Sequence, residues 1–293
     1  MDIVVVGAGS LGSLVGGLLA REHDVTLVGR EPHVGRVAER GLSVVGTEQF
    51  RVHPSARTTV PQRADLAVVT VKAADTAAAA ADLADCTLEA CLSLQNGMGN
   101  EARLAATLDC PVLAGTCSYG ANLRAPGTVA FTGRGEIVLG DRHGGQSAVA
   151  DEVGAAFRAA GIETTVAADM PTRLWEKLAV NAGINAVTAL ARVANGALAD
   201  PPADAVAADA AREAAAVARE QGIDLTDERA VSLLERVVGD TAANHSSMLQ
   251  DVSAGRRTEI DAINGYVVDT ATAPVPVNET LAALVRAWER HRE

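Results

Sequence analysis

The chain opens MDIVVVGAGSLGSLVGGLLAREHDVTLV, residues 1–28, and the reading of this stretch decides the fold. Ile3 to Val6 is a run of β-branched residues, short enough for a strand and apolar enough for one buried on both faces. It gives way at once to Gly7-Ala8-Gly9-Ser10-Leu11-Gly12, then to an apolar helical stretch ending at Ala20 and a second strand pattern over Asp24 to Val28. Together these make one βαβ unit. Each glycine has its own job there: a tight turn at Gly7, close backbone approach to a pyrophosphate at Gly9, and helix-on-strand packing at Gly12. The same loop elsewhere is only a flexible turn. Between a strand and a helix it points to a dinucleotide-binding sheet, without choosing between nicotinamide and flavin.

Working outward, the second strand runs into Gly29-Arg30, where an NAD-binding sheet places an acidic residue for the ribose hydroxyls. An arginine there suits a 2′-phosphate and favours NADPH. Glu31 follows directly and pulls the other way, and Arg30 also reads as an ordinary solvated residue. Leu42 to Val45 and Gln49 to Val52 are short strand patterns, and Leu66 to Val71 is a fully apolar one ending at Lys72. The alanine-rich Ala73 to Leu83 is helical by propensity. Ala90 to Leu94 is the next strand and ends in Gln95-Asn96-Gly97, which is also a turn signal. Val112 to Ser118 continues the sheet, and Gly127 to Phe131 with Gly135 to Leu139 reads as an antiparallel hairpin. A helix over Ser147 to Ala160 and a strand over Glu163 to Val166 follow. The glycine loop, Arg30, Lys72 and Asn96 all fall just past the carboxyl ends of predicted parallel strands. That edge is where open α/β sheets bind ligands.

After Ala168 the strand signals stop. Pro171 to Leu190, PTRLWEKLAVNAGINAVTAL, predicts a long helix with Asp169 as its N-cap and proline in its first turn. Lys177, Asn181 and Asn185 recur every fourth residue and form one row along an otherwise apolar cylinder, so the row faces something other than bulk water or is its one solvated stripe. Asparagine costs roughly 0.5 kcal/mol against alanine in a helix, and an alanine-rich chain had cheaper choices for an exposed face. Lys72 and Lys177 are moreover the only lysines; arginine supplies every other basic side chain. An ammonium differs from a guanidinium in being compact and in having a pKa its surroundings can move, which proton transfer needs. Further helices are predicted over Ala203 to Gln221, Asp227 to Ala243, Ser247 to Ala254, Glu259 to Ala271 and Glu279 to Arg290. Ser247 with Gln250 three residues on reads as a capping box, and Glu259 as a carboxylate in a first helical turn.

Composition narrows the function classes. A net charge of -12 repels polyanions over most of the surface, so neither nucleic acid nor an acidic membrane is expected as a partner. Acidic excess with scarce lysine and 2% aromatics suits a salt-adapted or high-GC host. The first residues lack a basic stretch and glycines break their apolar run, so a cytoplasmic protein is expected, with no membrane span. Cys86, Cys91, Cys110 and Cys117 form no CxxC pair and the histidines no HExxH, so neither a disulfide framework nor a metal site is predicted.

Taken with VTVK ending at Lys72, QNGMGN around Asn96, WEKLAVNAGINAVTAL and SSMLQDVSAGRRTEIDAINGY, the GAGSLG start resembles the ketopantoate reductase family over nearly the whole chain. The resemblance implies an α/β N-terminal Rossmann domain, residues 1–168, followed by an all-α domain, 169–293, with the active site in the cleft between them. It implies reduction of 2-dehydropantoate to (R)-pantoate by NADPH, a step toward coenzyme A. Carried over by motif, Lys177 matches the family's proton donor, Asn181, Asn185 and Asn195 its substrate-binding asparagines, and Ser247 the residue holding the substrate carboxylate. Asn96 is similar to the residue touching both cofactor and substrate. Lys72 and Glu259 match cofactor contacts, as do Gly7, Ala8, Gly9, Ser10, Leu11 and Gly12, and Arg30 matches the 2′-phosphate arginine. The segment Ala191-Arg192-Val193-Ala194 departs from the family pattern just before Asn195.

The chemistry read from residues agrees. Hydride delivered to a ketone leaves developing alkoxide charge, which an ammonium both stabilises and protonates. Lys177 does this best if burial moves its pKa from about 10.4 toward roughly 7 to 8. Two other readings stay open: a reductase of another 2-keto acid or an imine, and an NADPH-sensing protein without chemistry. The partner expected is a small-molecule 2-keto acid, with a homodimer as the one assembly entertained.

Overall fold

In the computed structural model, which describes residues 1–291, the chain forms two compact units. Residues 1–95 and 100–170 make the first, and residues 96–99 join the chain from 171 onward in the second. The first unit begins with β1 (Asp2–Val6), α1 (Ser10–Leu19), β2 (Asp24–Val28), α2 (His33–Arg40), β3 (Leu42–Gly46), β4 (Phe50–Val52), β5 (Ser55–Arg57) and β6 (Leu66–Val69). It continues through α3 (Thr76–Leu83), β7 (Ala90–Ser93), α4 (Asn100–Ala105), β8 (Val112–Cys117), β9 (Gly120–Ala125), β10 (Thr128–Gly133), β11 (Ile137–Asp141), α5 (Ala148–Ala159) and β12 (Thr164–Val166).

Eight strands form the main sheet in the order β12-β11-β8-β7-β6-β1-β2-β5. From β8 to β5 all neighbours are parallel, and β11 joins β8 antiparallel. Both faces of this sheet are covered, which explains why β1 reads as an unbroken apolar run. Ile3 and Val5 pack with Leu14, Leu18 and Leu27 on the α1 side, while Val4 and Val6 pack with Ala80, Leu83 and Leu104 on the side of α3 and α4.

A smaller sheet, β4-β3-β10-β9, flanks α1. It overturns the expected hairpin. β10 pairs with β9 and β3, whereas β11 pairs with β8 and β12, so the two runs flanking Arg134 lie in different sheets. The Gly/Arg turn signal was local, but each strand found a partner far off in sequence that buries it better: Phe131 and Ile137 are both inaccessible.

The second unit is helical: α6 (Met170–Ala191), α7 (Ala203–Glu220), α8 (Asp227–Asp240), α9 (Ser247–Ser253), α10 (Asn264–Thr270) and α11 (Pro276–Arg290). From Leu178 to Ala189 every residue of α6 except Asn181 is buried. Small side chains set the packing distance. A Cβ at Gly183 would fall 2.7 Å from the Ala207 carbonyl of α7, so α6 and α7 touch backbone to backbone. The low aromatic content follows from this, since cores built on alanine close without large rings. A buried polar chain ties the bundle: the Glu213 carboxylate accepts from the Val277 and Asn278 amides, and the Asn264 side chain bridges Asn278 Oδ1 to the Ala182 carbonyl in mid-α6.

The single helix expected over Glu259 to Ala271 is broken. A 3-10 turn, Ile260–Ala262, precedes α10, with Ile263 at φ -111 and ψ -96 between them. The Ala262 carbonyl accepts from the Met98 amide, and Asn264 is fixed by its two side-chain partners; both demands outweigh helical continuity. No helix among the described residues is long and apolar enough to cross a membrane.

Candidate active site

The loop after β1 has the geometry of an anion cradle. Gly7 sits at φ +108, and a Cβ there would lie 2.7 Å from the Val71 nitrogen; a Cβ at Gly12 would collide with the Gly7 carbonyl and Thr70 Oγ1. Both positions therefore admit only glycine. Thr70 Oγ1 donates to the Gly7 carbonyl at 2.9 Å and fixes the turn. At Gly9, by contrast, a Cβ would meet nothing of the protein nearer than 3.9 Å. The space a side chain would fill there is open. α1 has no side-chain cap, so the first-turn amides of Ser10, Leu11 and Gly12 keep the orientation that binds a phosphate. The Ala8 amide is committed to the Val28 carbonyl, and Ser10 Oγ accepts from the Leu123 amide of β9 at 3.0 Å. These residues fit a dinucleotide pyrophosphate.

Arg30 follows β2 and is almost fully exposed, paired to Asp75 at 3.2 Å. Glu31 is already used. Its Oε2 accepts from the Gly35 amide in the first turn of α2, a carboxylate at the positive end of a helix. The residue that could have read ribose hydroxyls is thus turned toward its own helix.

Lys72 is exposed three residues past β6. The carbonyls on either side of it are held from below. Gln95 Nε2 donates to the Val71 carbonyl at 3.0 Å and to Thr76 Oγ1 at 2.7 Å; Thr76 Oγ1 lies 3.0 Å from the Ala73 carbonyl and 2.9 Å from Asn100 Oδ1. Thr76 and Asn100 are fully buried and Gln95 nearly so. None of the three stood out in the sequence. Alternation along β7 was the available signal, because Ser93 and Gln95 are polar where Cys91 on the same face is apolar.

In the helical unit the row on α6 exists as a gradient: Lys177 and Asn181 are half-buried and Asn185 is 5% exposed. Asp169 directly precedes the helix and Pro171 lies in its first turn. Residues 96–99, although they continue from β7, fold with this unit. Met98 N donates to the Ala262 carbonyl at 3.0 Å, Asn96 Nδ2 lies 3.4 Å from Glu259 Oε2, and Tyr266, stacked 5.9 Å from Trp175, backs Gly99. Asn96 and Glu259, far apart in sequence, are therefore brought together. Glu259 is buried at 7% exposure and precedes the 3-10 turn instead of standing in a long helix.

The capping box is not formed. Ser246, not Ser247, caps α9, accepting from the Leu249 amide at 3.1 Å while its hydroxyl meets Thr188 Oγ1 at 2.7 Å. Gln250 reaches the His245 carbonyl. The reason is burial: Ser246 turns into the bundle against Thr188, which leaves Ser247 exposed. Asn195 is buried, its Nδ2 on Thr241 Oγ1 at 2.9 Å and its amide nitrogen on the Asn244 carbonyl. It holds the turn that leads into Ser246 and Ser247.

The chain is similar to known proteins over nearly its whole length. The family description "Ketopantoate reductase PanE/ApbA" matches residues 3–144 and "Ketopantoate reductase PanE/ApbA C terminal" matches residues 169–289. A 2-dehydropantoate 2-reductase of Halobacterium salinarum is 46% identical over 99% of both chains. Among solved structures, a PanE/ApbA family ketopantoate reductase from Ralstonia eutropha superposes with a TM-score of 0.89 at 33% identity, covering 100% of this chain and 99% of that one. D-mandelate dehydrogenase with NADH and anilino(oxo)acetate does so with a TM-score of 0.93 at 25% identity, again covering 100% and 99%.

Proposed function

The chain belongs to the ketopantoate reductase family, and on that premise we propose the reaction it runs and the groups that run it. It is an oxidoreductase that reduces 2-dehydropantoate to pantoate with a nicotinamide dinucleotide, in the pathway to pantothenate. NADPH is the partner we assign. The observation behind that choice is Arg30 standing exposed beside Asp75 while Glu31 is spent on α2.

When bound, the nicotinamide supplies a hydride to the ketone carbon. The carbonyl oxygen then gains negative charge, and Lys177 donates its Nζ proton to that oxygen and is reprotonated from water. Asn181 and Asn185 hydrogen-bond the substrate's far hydroxyl, and the exposed Ser247 hydroxyl takes its carboxylate. Asn96 touches cofactor and substrate and is held by Glu259, and Lys72 and Glu259 contact the cofactor. Asn195 acts through the turn it holds. What carries the reading is the pairing of one lysine with an asparagine row on α6 that runs from half-buried Asn181 to buried Asn185, in a chain that uses arginine for charge everywhere else but Lys72.

The likeness to D-mandelate dehydrogenase favours a second reading, in which a bulkier 2-keto acid is reduced by the same groups. One assay tests both. NADPH oxidation measured with ketopantoate, with aryl 2-keto acids and with NADH in its place should favour ketopantoate and NADPH. Lys177→Ala should lower kcat by about 10² to 10⁴ with cofactor binding retained. Near-normal turnover in that variant would remove Lys177 from the chemistry, and an absence of any oxidation would favour a sensor.

A further inference from the structure

The polar cluster beneath Lys72 is almost wholly buried, and burying polar groups is expensive. Its members are Thr76 at the start of α3, Gln95 just past β7 and Asn100 at the start of α4, each 4% exposed or less. Apolar groups of the same shape would pack there as well, since a buried polar network gains little over well-fitted hydrocarbon. The network is also incomplete. Gln95 Oε1 and the neighbouring Ser93 Oγ find no hydrogen-bond partner among the described residues. An arrangement selected for stability would not leave these two atoms bare. What it does achieve is geometric: its outward bonds end on the Val71 and Ala73 carbonyls, one on each side of Lys72.

We propose that Thr76 is a positioning residue for Lys72, fixing through its hydroxyl the backbone from which that lysine reaches the cofactor. The inference rests on the reading of Lys72 as a cofactor contact. Thr76 Oγ1 is the hub. It accepts from Gln95 Nε2, and its single proton serves the Ala73 carbonyl or Asn100, so both loop carbonyls answer to one hydroxyl. Lys72 itself lies at the turn from β6 into the 3-10 segment Ala73–Asp75, where the Asp75 amide donates to the Lys72 carbonyl and Arg103 Nη1 reaches the Ala73 carbonyl at 3.5 Å. Without the hydroxyl the Ala73 carbonyl loses its shortest side-chain bond and Gln95 loses the acceptor that orients it toward Val71, so the reach of a long, flexible amine becomes imprecise.

The test is a double-mutant cycle on Thr76→Val and Lys72→Ala, read as KM for NADPH and kcat with ketopantoate, beside the thermal midpoint. Thr76→Val keeps the shape and removes only the hydroxyl. It should raise KM for NADPH about tenfold with kcat within about threefold of the parent, and Thr76→Ser should restore the parent KM. In the Lys72→Ala background the same substitution should change KM by less than about twofold, because the residue it acts through is gone. Multiplicative effects of the two substitutions, or an unchanged KM in folded Thr76→Val, would overturn the proposal. A Lys72→Ala protein with the parent's KM would instead dispose of the reading of Lys72 itself, whatever Thr76 does. If Thr76→Val does not fold, Gln95→Met enters the same cycle with the same expectation, and a fall in thermal midpoint with no change in KM would show a role in stability only.

Discussion

His33 shows how much one buried ring can hold. Its Nε2 meets Ser13 Oγ at 3.0 Å and its Nδ1 accepts from the Gly127 amide at 3.1 Å, so the ring is neutral with the proton on Nε2 and joins α1, α2 and the turn before β10. Burial holds its pKa below the ordinary histidine value. A group whose folded pKa is depressed contributes stability that is complete above its unfolded pKa, about 6.5, and is lost as pH falls below it. The thermal midpoint should therefore drop on acidification from about pH 7 to 5, and His33→Gln should show a flatter profile over that interval. Equal slopes for the two proteins would show that other groups govern acid sensitivity. Arg192 is a second residue under local constraint, the one non-glycine among the described residues at positive φ, +57. It ends α6 in a left-handed turn closed by the Val193 amide on the Thr188 carbonyl. The strain costs about 1–2 kcal/mol, more than the roughly 0.3–1 kcal/mol a cation gains at a helix C-terminus. Arg192→Gly should accordingly raise stability by about 1 kcal/mol in urea unfolding, and a loss would mean that burial of its stem outweighs the strain.

At the scale of elements, the two serines at the start of α9 separate stability from binding. Ser246→Ala removes a cap and a buried bond and should cost about 1–2 kcal/mol. Ser247→Ala alters an exposed hydroxyl and should leave stability within about 0.5 kcal/mol, while raising KM for the keto acid if Ser247 takes its carboxylate. The two swapping these signatures would reassign the hydroxyl that binds. The same serines mark what local sequence conveys. Periodicity and glycine spacing made the first βαβ unit and α6 readable, because a buried strand and a buried helix each stamp their own repeat on the chain. The exit points of Arg30, Lys72 and Asn96 followed from those strands. Pairing that depends on distant partners left no such stamp. The separation of β10 from β11, the choice of Ser246 over Ser247 and the break at Ile263 were each decided by a contact far off in sequence. β9, with a mixed burial pattern, and α4, of six residues, carry too little periodicity to be found at all.

At the scale of the molecule, the excess of acidic over basic residues, 37 against 25, leaves a charge of -12 that opposes compactness. Most described ion pairs are exposed and hold their partners weakly, so screening should outweigh their loss. The thermal midpoint should rise between about 0.1 and 1 M KCl, and a flat or falling trend would show that the carboxylates do not repel in the fold.

The polypeptide passes between its two units at 95/96, 99/100 and 170/171. A gene cut once, after codon 170, would therefore not yield two self-sufficient fragments. The shorter product would start without the tetrapeptide whose Met98 amide closes on Ala262, and the longer one would carry that tetrapeptide as an orphan. Evolution by swapping one half for another's must likewise move this clasp and its receptor together, which ties the inheritance of the helical half to four residues embedded in the other.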